Sequence, residues 1–414
     1  MNPTYARPSP KRPQNHSPSH SCSDSTTFPR ILELPPYASS SISDRKKFII
    51  DLISDLATQR FAVLCVPPEL ALDASACEEL AAQFFDGDVK AIRSVPCARG
   101  NFCGYHMPSS AKEVFRHRFG LADIMMQHSA NSVGADSFFS SVDAFGRKLH
   151  AIAWNLVSDV LLFTGSLGND ASELLDEIVE ELPPSGLSGV ASGSAPQRGE
   201  DQANKYYFPI PPFDVFHYFN KNDEGEQSNC EPHNDPGLLT LIPLANVPGL
   251  AVFQPCNMNS NTGVEGSPSE EDEVRGDWLA VEKCLHRMLS DEAIEEKTRR
   301  MSLVTVLAGE ALESLTAGLV PAGLHRVERP LVEDFISCVP CAKKMSCRPR
   351  ISPKTPCNME RYSLVFDLQV NPSIVPEIAA EAELLRARNT RREAQPPLHE
   401  IQRVAGQMAR RFGF

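Results

Sequence analysis

Two textures divide the chain. From Ile31 to about Leu182 apolar residues recur mostly at helical spacing, whereas beyond about Asn204 they fall into short β-prone runs. Phe48, Ile49, Leu52, Ile53 and Leu56 mark one face of a helix over Asp44 to Gln59, and Phe61 to Val66 then reads as a strand. Arg147 to Phe163 and Asp170 to Leu182 predict two further helices, the first apolar enough to be central. In the second half Phe213 to Phe219, Leu238 to Leu244, Leu250 to Gln254, Trp278 to Val281, Ser302 to Leu307 and Arg361 to Val370 are short runs separated by turn residues. That many short strands predict an antiparallel sandwich or barrel.

The same pattern sets the domain organisation. Residues 1–29 carry too little apolar surface to offset the cost of ordering and predict a disordered tail. A mostly helical N-terminal region spans 30–204 and ends in the Gly/Ser/Pro-rich connection Pro183 to Asn204, the best internal hinge. The β-rich core spans 205–372. Two insertions interrupt it: 257–275 is polar and acidic, and 331–359 is basic and carries four cysteines. A charged helical tail, broken at Pro396 and Pro397, occupies 373–414.

Composition narrows the partners. A formal charge of −13 on 414 residues repels nucleic acid and anionic membrane surfaces. The longest apolar stretch, Ala151 to Leu167, is broken by Asn155 and Asp159 and reads as a buried helix in a soluble protein. Twelve cysteines without a signal peptide suit reduced thiols, so the cytosol or nucleus is the default compartment. An organelle is the alternative, because the first 23 residues lack acids and carry Arg7, Lys11 and Arg12. The chain is expected to act as a monomer on a small molecule.

The chemistry concentrates in Glu231 to Ile242, which sets His233 and Asp235 two residues apart at the mouth of an apolar run. On a strand such residues face the same way. An imidazole and a carboxylate then converge, which is half of a non-haem Fe(II) site; His325 is the candidate second imidazole. Two imidazoles and one carboxylate on one face leave three positions open for a bidentate 2-oxoacid and O₂. The far carboxylate of such a co-substrate needs a cation, and arginine's planar fork matches it. Arg361 and Ser363, again two apart on a strand, offer a guanidinium and a hydroxyl on one face. Burying Arg361 without an anion is costly, so its placement predicts one.

These residues resemble the 2-oxoglutarate- and Fe(II)-dependent dioxygenases of the isopenicillin N synthase-like branch. Pro232 to Ile242 is similar to that branch's His-x-Asp segment, and Val247 to Phe253 and Gly276 to Val281 resemble its next two strands. Ala308 to Gly318 followed by His325-Arg-Val is similar to its approach to the distal histidine, and Arg361 to Phe366 to its Arg-x-Ser strand. Gly104-Tyr105 and Lys112 to Phe115 fit the helical N-terminal region more loosely. The resemblance runs from about residue 31 to 370. It implies an α+β protein whose core is a double-stranded β-helix (jelly-roll, cupin-like). Within that core His233, Asp235 and His325 would hold Fe(2+), and Arg361 and Ser363 would bind 2-oxoglutarate. Tyr218 resembles the tyrosine that often touches the co-substrate, although Phe216 and Phe219 replace that motif's Asn and Pro. The implied activity is oxidation of a C–H bond by O₂ with release of succinate and CO₂, ascorbate being a possible reductant. Beyond the metal ligands no catalytic side chain is needed. The separations from Asp235 to His325 and from His325 to Arg361 exceed those of the branch, which leaves the substrate open.

Other readings stand beside this one. A same-fold oxidase would dispense with 2-oxoglutarate, a silent interaction protein would keep only the fold, and a cupin-like binder would carry Mn(II) or Ni(II). Cys338, Cys341, Cys347 and Cys357 could close a zinc site but lack a second Cys-x-x-Cys, so reduced thiols are the simpler reading. His217 and His286 read as structural and Trp278 as core packing.

Overall fold

The computed structural model describes residues 28–36, 40–86, 95–96, 102–119, 135–166, 212–220, 228–255, 276–290, 300–330 and 360–370. The expected helix at Asp170 to Leu182, the hinge, both insertions with their four cysteines, residues 1–27 of the N-terminal tail and the C-terminal tail lie outside these residues.

The first half runs β1 (Ile31–Glu33), α1 (Ile42–Gln59), β2 (Ala62–Cys65), α2 (Pro68–Asp86), β3 (Val95–Pro96), β4 (Phe102–Ser109), β5 (Lys112–Arg118) and α3 (Ala135–Thr164). The second half runs β6 (Pro212–Tyr218), β7 (Ser228–His233), β8 (Leu239–Pro243), β9 (Leu250–Pro255), β10 (Gly276–Leu279), α4 (Val281–Ser290), β11 (Leu303–Ala308), α5 (Glu310–Leu315), β12 (His325–Glu328) and β13 (Arg361–Leu368). Among the described residues, nine strands form one sheet in the order β1-β2-β11-β8-β13-β6-β5-β4-β3, and four form a second, β10-β9-β12-β7. From β6 onward the chain crosses repeatedly between sheets: β6, β8, β11 and β13 enter the large one, β7, β9, β10 and β12 the small one. Among the described residues, the pairings are antiparallel except that of β1 with β2.

Period-two alternation explains the layers. On β13, Tyr362, Leu364, Phe366 and Leu368 join an apolar cluster with α1, α2 and α3, while Val365 packs toward a second cluster. That second cluster holds Ile242 and Leu244, Leu250 and Val252 of β9, and Val281, Leu285 and Leu289 of α4. Arg361, Ser363 and Asp367 share the parity of Val365 and therefore face the space between the sheets.

The helices form where spacing and capping coincide. The Ser41 hydroxyl accepts the Asp44 N–H at 3.1 Å and caps α1. Leu52 and Leu56 are fully buried on its inner face. Burying each stabilises the fold by roughly 1.5–3 kcal/mol, so Leu52→Ala would open the joint between α1 and the sheet.

The helical reading of the first half missed the β4–β5 hairpin, which extends the large sheet beside β6. Both faces of β5 are largely covered although it carries Glu113, Arg116, His117 and Arg118, so its charged residues hide the strand's apolar alternation. Among the described residues no helix is long and apolar enough to cross a membrane.

Candidate metal centre

His233 closes β7 and stands in register with His325 on β12, their rings 4.3 Å apart between centroids. Asp235 lies past the end of β7, so it reaches the site through the following turn rather than by strand alternation. That turn is tied down on two sides. Leu238 N–H donates to Leu368 O at 2.7 Å, and Glu310 and Ala311 at the start of α5 donate to Asp235 O (2.9 Å) and Gly237 O (3.1 Å). The approach is close enough to exclude side chains: a Cβ on Gly237 would lie 2.1 Å from Asp367 Oδ1, and one on Gly309 2.1 Å from Gly237 O.

One ligand atom from each of His233, Asp235 and His325 comes together, all within 4.8 Å of one another. His233 Nε2 lies 3.7 Å from Asp235 Oδ1, and His325 Nε2 lies 3.7 Å from Asp235 Oδ2. Atoms bound at about 2.1 Å to one octahedral ion stand roughly 3.0–4.2 Å apart, so these separations fit a first-row divalent cation. The outer contacts also fit. His233 Nδ1 donates to Glu231 O at 2.8 Å and His325 Nδ1 to Gly323 O at 3.0 Å, which leaves both Nε2 lone pairs facing inward. Thr240 Oγ1 donates to Asp235 Oδ2 at 2.5 Å and orients the carboxylate.

The two imidazoles differ in proton affinity. Burial, the largest influence, lowers that of His325, and the neighbouring His233 adds to this against the pull of Asp235. Burial also opposes charge on His233, but Cys230, whose Sγ lies 3.9 Å from Nδ1, together with Glu231 O and Asp235 raises its pKa to about 9. A proton and a divalent cation therefore compete for His233.

Arg361, Tyr218 and Lys112 are cross-strand neighbours on β13, β6 and β5. Arg361 Cζ lies 5.1 Å from the Tyr218 ring centre and Lys112 Nζ 5.9 Å from it. Tyr218 and Ser363 are buried, and burial raises the Tyr218 phenol's pKa well above its ordinary value. Arg361 is 1% exposed, and the anion its burial required comes from the chain itself. Arg361 Nη2 donates to both oxygens of Glu282 at 3.0 Å, and Nε donates to Val247 O at 3.0 Å. Nη1 is buried and has no hydrogen-bond partner among the described residues.

Sequence reasoning does not single out Glu282, yet a signal exists. Val281, Leu285 and Leu289 define the apolar stripe of α4, and Glu282 and His286 lie beside it at the same four-residue spacing. A carboxylate on a buried stripe needs a partner. His286 is structural as expected, its Nε2 3.0 Å from Ala245 O. His217 is too: it stacks on Tyr362 at 4.6 Å and its Nδ1 lies 2.7 Å from Glu113 Oε1. Trp278 is only half-buried rather than core; its ring is covered by the Arg326 guanidinium at 4.1 Å and by Phe253.

No protein-family model matches the chain, and no curated protein sequence does. Solved structures do match. A full-length Neurospora crassa protein in complex with alpha-KG and 5-formyluracil aligns with a TM-score of 0.50 at 15% identity, over 84% of this chain and 87% of that one. The same protein with alpha-KG and thymine gives 0.50 at 15% identity, over 83% and 86%. The rice dioxygenase for auxin oxidation gives 0.48 at 14% identity, over 84% of each chain. The chain therefore shares its fold with the Neurospora crassa protein solved with alpha-KG.

Proposed function

We propose that this chain is a 2-oxoglutarate- and Fe(II)-dependent dioxygenase that oxidises a C–H bond of a small organic molecule. The observation that carries the reading is the convergence of His233, Asp235 and His325, drawn from β7, the turn after it and β12. The alternating entry of β6 to β13 into two sheets supports reading residues 205–372 as a double-stranded β-helix. The order of motifs favours the isopenicillin N synthase-like branch.

In this reading His233, Asp235 and His325 hold the ion and leave one side open. A ferrous ion with 2-oxoglutarate and O₂ would supply C–H oxidation coupled to release of succinate and CO₂. Arg361 Nη1 is the free donor for the far end of 2-oxoglutarate, and Ser363 shares its face. Tyr218 walls the same space and keeps water from the guanidinium. Thr240 keeps the Asp235 carboxylate oriented, and the carbonyls of Glu231 and Gly323 hold the protons on the outer nitrogens of the two rings.

Anaerobic addition of Fe(II) and 2-oxoglutarate tests this. The expected result is a visible metal-to-ligand charge-transfer band, followed by succinate release when O₂ is admitted. A protein that only keeps the fold gives no band. A same-fold oxidase gives neither a 2-oxoglutarate-dependent band nor succinate.

A further inference from the structure

We propose that Glu282 sets the charge preference of the co-substrate pocket, by serving as a built-in counter-ion to Arg361. The inference rests on the reading that Arg361 meets the far end of the co-substrate. Glu282 and Arg361 are each 1% exposed in their side chains and 3.0 Å apart. Glu282 Oε2 also accepts the N–H groups of Gly249 at 2.7 Å and Leu250 at 2.8 Å. These bonds fix the carboxylate and hold it ionised; burial alone would push it toward the neutral form, but Arg361 and the Leu250 N–H outweigh burial and lower its pKa.

Arg361 thereby commits Nη2 to Glu282 and Nε to Val247 O, keeping Nη1. Among the described residues, the other charged groups around the pair do not restore a net positive charge. Arg300 is paired with Glu78, and burial keeps the His286 ring neutral. Lys112 stands on the far side of Tyr218 in the sheet.

A carboxylate entering here gains the Nη1 hydrogen bond but meets a cation already neutralised. It brings a buried negative charge without its own counter-ion, which is costly. An uncharged acceptor, such as an ester or amide carbonyl, makes the same hydrogen bond without that cost. The pocket therefore discriminates weakly between 2-oxoglutarate and a 2-oxoacid with a neutral, hydrogen-bonding far end. Removing the Glu282 charge makes the ligand's carboxylate the natural partner of Arg361.

The test compares 2-oxoglutarate with its 5-methyl ester by calorimetric titration into Mn(II)-loaded protein, which is inert to O₂ on this timescale. The wild-type dissociation constants should agree within roughly tenfold. In Glu282→Gln the preference for 2-oxoglutarate should widen by about tenfold or more, with Mn(II) affinity unchanged. A merely structural role would weaken both ligands alike and leave their ratio fixed. An unchanged ratio in the variant, or a wild-type preference for 2-oxoglutarate beyond roughly tenfold, overturns the proposal. Should Glu282→Gln fail to fold, the wild-type ratio decides alone. If neither ligand binds the Mn(II)-loaded wild type, the co-substrate reading itself fails, a result distinct from either ratio.

Discussion

Thr240 donates its hydroxyl to one oxygen of Asp235 at 2.5 Å, while both Asp235 oxygens face an imidazole Nε2 at 3.7 Å. The carboxylate is thus aimed by a residue on β8, the strand that follows its own turn. Outer contacts of this kind typically contribute 10- to 100-fold to metal affinity, so Thr240→Val should weaken Fe(II) or Mn(II) binding by roughly that factor. The substitution keeps shape but removes the donor, and Thr240→Ser should restore most of the affinity. Metal titration followed by intrinsic fluorescence or calorimetry measures this. Equal affinity in Thr240→Val and wild type would mean the turn alone orients Asp235.

Gly237 gives a second prediction, from space rather than hydrogen bonding. A methyl group there would lie 2.1 Å from Asp367 Oδ1 and 2.7 Å from Leu368 O, and one of these is backbone. Gly237→Ala must therefore push the Asp235 turn away from β13. Overpacking of this order costs about 1–3 kcal/mol, and the turn carries a proposed metal ligand, so metal affinity should fall together with stability. Urea denaturation and metal titration on the same sample check both. A loss of stability with undiminished metal affinity would separate the turn from the site.

Much of this site is legible in the sequence because its parts are local. His233 and Asp235 lie in one short segment, so their closeness in sequence is enough to pair them although Asp235 sits in the turn after β7, and Arg361 and Ser363 share one face of β13 by strand periodicity. His325 has to be inferred from chemistry and resemblance, since its meeting with His233 is made by cross-strand pairing of β12 with β7. The runs for β7 and β12 themselves escape the hydrophobic pattern. β7 is polar and ends on Pro232 and His233, and β12 is only four residues long with charged Arg326 and Glu328. The β4–β5 hairpin escapes it because its charged residues are satisfied by other elements; Arg116, for instance, grips Asp214 of β6 at 2.7 and 2.5 Å. The need for an anion at Arg361 is readable, but its source on α4 is not, because that contact exists only after the sheets have closed.

Arg300 and Glu78 provide a structural control. Their buried pair joins α2 to the segment entering β11, and Arg300 Nη1 also donates to Leu244 O at 2.9 Å. Among the described residues, neither hydrogen-bonds to a proposed metal ligand. Glu78→Ala leaves the guanidinium buried without its counter-ion and should cost roughly 3–5 kcal/mol of stability. At a temperature where the variant is still folded, metal affinity should match the wild type. Thermal melts beside metal titrations test the pair; a variant of unaltered stability would show that solvent reaches Arg300 and replaces Glu78.

His286 carries the pH dependence that is easiest to isolate. Burial, the largest influence, lowers its pKa to about 4, with nearby Arg300 and Arg361 adding to it against the pull of Glu282. In the unfolded chain the ring titrates near its ordinary value of about 6.5. Between these two values the unfolded state binds a proton that the folded state refuses. Stability therefore rises with pH through this window, is fully present above about 6.5, and is lost as pH falls toward 4. Across the window the difference is worth roughly 2–3 kcal/mol. Replacing the ring by an amide in His286→Gln keeps a donor for Ala245 O and removes the titration. Urea denaturation at pH 4.5 and 7.5 should show the wild type losing more stability on acidification than His286→Gln, by about that amount. Equal losses in the two proteins would mean that the ring is reached by water and protonates in the fold as easily as outside it.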